Sequence, residues 1–196
     1  MKILGLTGSI GMGKTSAAAM LRSMGVPVHD ADRSVHRLMA KHGAAVPRIA
    51  AVFPAAVRDG AVDRGALGAV VFGDDAALRR LEAILHPMVR EQERHFLMTM
   101  RARRQPLVVL DIPLLFETGG APRCDAVLVV SAPKFLQDQR VLRRPGMTPQ
   151  RLRDIVMRQM PDAEKRKRAD FVVQTGLGKR ATRTALRRIA RKMKRR

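Results

Sequence analysis

Gly8, Gly13, Lys14 and Thr15 have the spacing of a phosphate cradle. The run Gly8-Ser9-Ile10-Gly11-Met12-Gly13-Lys14-Thr15 satisfies G-x-x-x-x-G-K-[S/T] at every specified position. Glycines let the backbone curl so that successive N–H groups face phosphate oxygens. A helix starting there presents its positive end to the same anion. Lys14 is then placed for the β and γ phosphates of a nucleoside triphosphate, and the Thr15 hydroxyl for Mg²⁺. The expected nucleotide-binding set is Gly11, Met12, Gly13, Lys14, Thr15 and Ser16.

Three further groups supply candidate chemistry. Asp30 and Asp32 follow a short apolar segment, and at i, i+2 in extended chain they project to one side. Asp32 is the candidate base for an acceptor hydroxyl. Capping a helix that starts near Arg33 is the competing role for either carboxylate. Asp111 ends the apolar run 107–110, the pattern of an acidic residue that positions Mg²⁺, with capping of the next turn as its rival. Arg140, Arg143 and Arg144 precede Pro145-Gly146 and are candidates for a basic lid closing over the nucleotide. Arginine is abundant throughout this chain, so the cluster alone is not distinctive.

The elements that must position these groups are legible as apolar runs. Strands are expected at 2–7, 27–29, 107–111, 126–131 and 171–173. A helix is expected from 14 to 24, stopped by Gly25. Residues 33–104 read as mostly helical and without a strand, interrupted at Gly43, Pro54, Gly60, Gly73 and Pro87, with His86-Pro87 marking a helix boundary. Helices are expected at 134–144 and 148–168. In the tail 179–196, Ala185, Leu186, Ile189, Ala190 and Met193 share one face and cations fill the other. Strands apolar on both faces, alternating with helices, argue for an α/β fold with a parallel sheet covered by helices.

Composition narrows the function classes. The 196 residues carry a formal net charge of +21, which implies anionic partners without choosing among them. Aromatics are 3%, with no Trp or Tyr, so stacking platforms for single strands are not expected. The basic tail reads as a solvated helix face, and a nucleic-acid partner is not expected. Cys124 is the single cysteine, which excludes an internal disulfide, and it reads as a buried, inert thiol. The five histidines form no tight ligand pair. No apolar run reaches the ~18 residues of a membrane span, and a cytoplasmic location without membrane contact is expected. The chain has no Asn, so the Asn-Lys-x-Asp guanine motif of GTPase switches is missing.

Taken together, LTGSIGMGKT (6–15), VHDAD (28–32), LEAILHPMVR (81–90), DIPLLFETG (111–119) and QDQRVLRR (137–144) resemble the dephospho-CoA kinase family in order and spacing, over nearly the whole chain. The resemblance implies a P-loop kinase fold with a parallel five-stranded sheet, a helical acceptor-binding insert and a lid. It implies one domain: a core of 1–32, 105–136 and 169–196, an acceptor region 33–104 and a lid region 137–168. It implies ATP and Mg²⁺, with dephospho-CoA phosphorylated on its ribose 3′-hydroxyl. Asp32 would then be the base, Lys14 and Thr15 would handle phosphate and Mg²⁺, and Arg140 would act from the lid. His86 and Arg90 would lie in the acceptor region. One departure is visible: where relatives carry Asn before a Gly near the adenine, this chain has Gln174-Thr175-Gly176. Another small-molecule kinase, or a nucleotide-dependent switch, are the rival readings.

Overall fold

The computed structural model describes residues 1–71 and 73–195; Arg196, last residue of the expected basic tail, and Phe72, within the expected helical stretch, lie outside it. Strands are β1 (Lys2–Thr7), β2 (Val28–Asp30), β3 (Val57–Arg58), β4 (Ala61–Val62), β5 (Leu107–Asp111), β6 (Ala126–Ser131) and β7 (Phe171–Gln174). Helices are α1 (Lys14–Ser23), α2 (Ala31–Met39), α3 (Val46–Val52), α4 (Arg64–Val71), α5 (Asp75–Ala102), α6 (Lys134–Leu142), α7 (Pro149–Met157), α8 (Asp162–Lys167) and α9 (Lys179–Arg195). The chain divides into two units, one of Met1–His29 with Met100–Arg196 and one of Asp30–Thr99.

The first unit is built on the five expected strands, ordered β2-β5-β1-β6-β7. The β1–β5, β1–β6 and β6–β7 pairs are parallel. Every residue of β5 and β6 is buried, as a parallel sheet covered on both faces demands. Carboxylates at the strand starts help set the register. Asp125 Oδ2 accepts the Ile3 N–H at 2.7 Å, and Asp170 Oδ2 accepts the Val127 N–H at 2.8 Å. Leu4, Leu6 and Leu128 of the sheet pack with Ala18 and Leu21 of α1 and with Leu186, Ile189 and Met193 of α9. The apolar face expected on the tail is therefore the face that is buried. Residues 148–168 are not one helix: α7 ends at Met157 and α8 starts after Pro161, whose missing N–H favours a helix start over continuation.

The second unit has its own apolar core, including Leu38, Ile49, Phe53, Leu67, Leu81 and Leu85. It departs in two places from the expectation of a mostly helical stretch without a strand, broken at Pro87. β3 and β4 pair antiparallel around Asp59-Gly60, whose φ angles of 49° and 74° are both positive, as a tight hairpin turn requires. Pro87 does not end a helix, and His86-Pro87 is no boundary, because α5 runs on through both. A proline inside a helix costs about 3 kcal/mol. Burial of Leu81, Leu85 and Met88 along one face of α5 offsets that cost. Among the described residues no helix is long and apolar enough to cross a membrane.

Candidate active site

β1 ends at Thr7 and α1 starts at Lys14, so residues 8–13 leave the central strand at its carboxyl end. That is where open parallel sheets bind ligands. Gly11 and Gly13 have φ of 77° and 90°. A Cβ on Gly11 would also lie 2.6 Å from Val141 Cγ2, and one on Gly13 would lie 3.1 Å from Thr175 Oγ1. The backbone conformation thus demands glycine at both positions, and the neighbours leave little room for a Cβ. α1 begins with no side-chain cap and no acidic residue in its first turn. Its positive end is left for an anion.

Lys14 Nζ donates to Asp111 Oδ1 at 2.7 Å, and the Asp111 side chain is only 3% exposed. The two meet because Leu6, just before the loop, is in register with Asp111 on the neighbouring strand. Thr15 and Ser16 are exposed in the first turn of α1. The Thr15 hydroxyl and the Asp111 carboxylate are hard oxygen donors with no His or Cys among them. Such a set suits Mg²⁺ shared with phosphate and water. Arg140 is turned toward the loop: its Nη1 donates to the Gly11 carbonyl at 3.3 Å and to Thr175 Oγ1 at 3.1 Å, and its Nη2 to the Thr175 carbonyl at 3.1 Å. Arg143 and Arg144 are exposed at the end of α6.

Gly11, Met12, Gly13, Lys14, Asp111 and Arg140 are therefore brought together in the first unit. Asp32 belongs to the second. The extended pairing of Asp30 with Asp32 does not hold. β2 ends at Asp30, whose carboxylate caps α2 by accepting the Arg33 N–H at 3.0 Å. Asp32 stands in the first turn of that helix and is exposed. Aspartate's strength as an N-cap explains why helix displaces strand here. His86 and Arg90 are exposed one turn apart on α5. Cys124 is only partly buried, which corrects the buried thiol expected from sequence.

Other residues that hold the site had no sequence signal of their own. Gln137 Nε2 donates to the Ile10 carbonyl at 2.9 Å, and Gln159 Oε1 accepts the Ile10 N–H at 3.0 Å. Thr175 Oγ1 donates to the Met12 carbonyl at 2.8 Å. Glu117 accepts the Met160 N–H at 2.9 Å and lies 2.8 Å from Nζ of Lys165, which is fully buried. That last contact is an ion pair, not an aligned hydrogen bond. Gln137, Glu117 and Thr175 fall in segments the sequence singles out for other reasons; Gln159 and Lys165 fall in 148–168, which is expected only as a helix within the lid region.

Residues 2–178 match the dephospho-CoA kinase family. A dephospho-CoA kinase of Paramagnetospirillum magneticum is 69% identical over 166 residues, which are 85% of this chain and 78% of that one. Among solved structures, a Thermus thermophilus protein matches with a TM-score of 0.84 at 38% identity, over 97% of this chain and 96% of its own. A dephospho-CoA kinase from Campylobacter jejuni shares the fold, with a TM-score of 0.66 at 21% identity over 98% and 97%. With a phosphate loop at the carboxyl end of a five-stranded parallel sheet and a family match over residues 2–178, the chain is a P-loop kinase and belongs to the dephospho-CoA kinase family.

Proposed function

We propose that the chain transfers the γ-phosphoryl group of ATP to the ribose 3′-hydroxyl of dephospho-CoA, giving CoA and ADP. The observation that carries this reading is the Lys14–Asp111 pair beside an uncapped helix start, in a chain of this family. The loop amides and the first turn of α1 bind the β and γ phosphates. Lys14 adds a full positive charge beside the transferring group. When bound, Mg²⁺ neutralises phosphate charge; Thr15 and Asp111 are the residues that would hold it. Asp32 accepts the proton of the 3′-hydroxyl as the oxygen attacks phosphorus. Residues 33–104 take the acceptor and residues 137–168 serve as the lid. The rest, 1–32, 105–136 and 169–196, form the nucleotide core.

A coupled ADP-release assay with ATP and Mg²⁺ tests the assignment. Dephospho-CoA is offered beside adenosine, AMP, CMP and shikimate. Turnover confined to dephospho-CoA, with CoA as product, is expected. Turnover with a different acceptor alone would keep the kinase and discard the substrate.

A further inference from the structure

Three side chains from outside the phosphate loop fasten three consecutive loop carbonyls. Gln137 Nε2 holds Ile10 at 2.9 Å, Arg140 Nη1 holds Gly11 at 3.3 Å, and Thr175 Oγ1 holds Met12 at 2.8 Å. The Thr175 hydroxyl is itself oriented, because it accepts from Arg140 Nη1 at 3.1 Å while it donates to Met12. Gln159 steadies the other flank through the Ile10 N–H at 3.0 Å.

Peptide geometry turns these contacts into a statement about the anion site. In a planar trans peptide, the carbonyl of one residue and the N–H of the next point in opposite directions. Drawing the Ile10 and Met12 carbonyls toward Gln137 and Thr175 aims the Gly11 and Gly13 N–H groups away from those side chains. Neither amide has an acceptor among the described residues. The Met12 N–H between them is used differently, closing a turn onto the Ser9 carbonyl at 3.1 Å. Positive φ at both glycines is the backbone signature of this arrangement, and amides so directed form an anion-binding concavity.

We infer that Gln137, Arg140 and Thr175 are positioning residues: Gln137 and Thr175 set the direction of the Gly11 and Gly13 amides, Arg140 orients the Thr175 hydroxyl and secures the Met12 turn through the Gly11 carbonyl, and together they govern triphosphate affinity more than the chemical step. The inference rests on the nucleotide half of the proposed function. It changes the part expected of Arg140. Its guanidinium is committed to the Gly11 carbonyl and to two atoms of Thr175, and it acts through the loop, not on the transferring phosphoryl group.

The test separates affinity from turnover in the full chain. Calorimetry gives the Kd for ATP with Mg²⁺, and steady-state assays give kcat at saturating ATP. Thr175→Val, which keeps shape and loses the hydroxyl, and Gln137→Met are each expected to weaken Kd about 10-fold or more: Gln137→Met loses one buried hydrogen bond to the loop, and Thr175→Val loses the bond to Met12 together with the one from Arg140. kcat is expected to stay within about 3-fold, and Thr175→Ser should bind ATP within about 2-fold of the unsubstituted chain. Arg140→Met combined with Thr175→Val should be non-additive, since the two share one hydroxyl. Thr175 and Gln137 are nearly buried, so thermal melts accompany each variant. If either does not fold, half-buried Arg140→Met decides by the same criterion. An unchanged Kd with a kcat reduced about 10-fold or more would overturn the inference and return these groups to the chemical step. Failure of the unsubstituted chain to bind ATP would remove this inference and the proposed function together. ATP binding without dephospho-CoA turnover would remove only the acceptor.

Discussion

Asp32 and Lys14 make different demands on their surroundings. Lys14 is tied to a buried carboxylate 97 residues away, so its position depends on the sheet. Asp32 is exposed in the first turn of α2 and is placed by its own helix. Asp32→Asn keeps size and helix start but removes the base. It is expected to lower kcat by about 10²–10⁴ while leaving the Kd for ATP within about 2-fold. Undiminished turnover would take Asp32 out of the reaction. The phosphate loop was legible at this scale because its requirements are local: positive φ at Gly11 and Gly13, then a helix start. The side chains that clamp it were not legible. Gln137 and Thr175 lie 127 and 163 residues from the carbonyls they hold, and nothing in their neighbours' types announces the contact.

At the scale of elements, Glu117 links the loop after β5 to the segment leading into α8. Burial alone would raise its carboxyl, but Lys165 and the Met160 N–H outweigh burial and hold it below its ordinary value of 4.5. A carboxyl depressed by folding contributes stability above the unfolded value and loses it as pH falls through the lower, folded one. Thermal melts of the unsubstituted chain should therefore decline as pH drops below about 4.5. Glu117→Gln should lack that component of the decline. At neutral pH it should leave the buried Lys165 beside an uncharged group and lower stability by about 1–3 kcal/mol, the cost of a buried polar group left without its partner. A variant as stable as the unsubstituted chain at pH 7 would show that the pair contributes little. Element boundaries followed the same divide between local and distant causes. Gly25 stops α1 as expected, whereas Pro87 is carried through α5 by burial of the residues around it.

The molecule as a whole carries +21, and nine of the 17 residues of α9 are Lys or Arg, with no acidic residue among them. Like charges at i, i+4 along that helix repel one another. Its apolar face, with Leu186, Ile189 and Met193, is buried and holds it in place. Salt screens the repulsion, with a Debye length of about 30 Å at 0.01 M and about 8 Å at 0.15 M. Raising salt between those values should raise Tm by about 2–4 °C, the shift produced by about 1 kcal/mol in a chain of this size. A fall in Tm over that range would mean that attractive pairs, not net charge, dominate the surface.

The amino-acid sequence by itself determined what periodicity and backbone chemistry can dictate over a few neighbours. That covers five apolar strands, a phosphate loop opening a helix, and an amphipathic tail with its buried face. It also held the hairpin turn at Asp59-Gly60, which becomes readable once positive φ is demanded at both positions. Tertiary structure decided the strand order β2-β5-β1-β6-β7, and with it the meeting of Lys14 with Asp111. It also buried Lys165 against Glu117 and brought Gln137, Arg140, Gln159 and Thr175 onto the phosphate loop. The physical reason is that a buried polar group must find a partner, and close packing of the core decides which distant residue stands within reach.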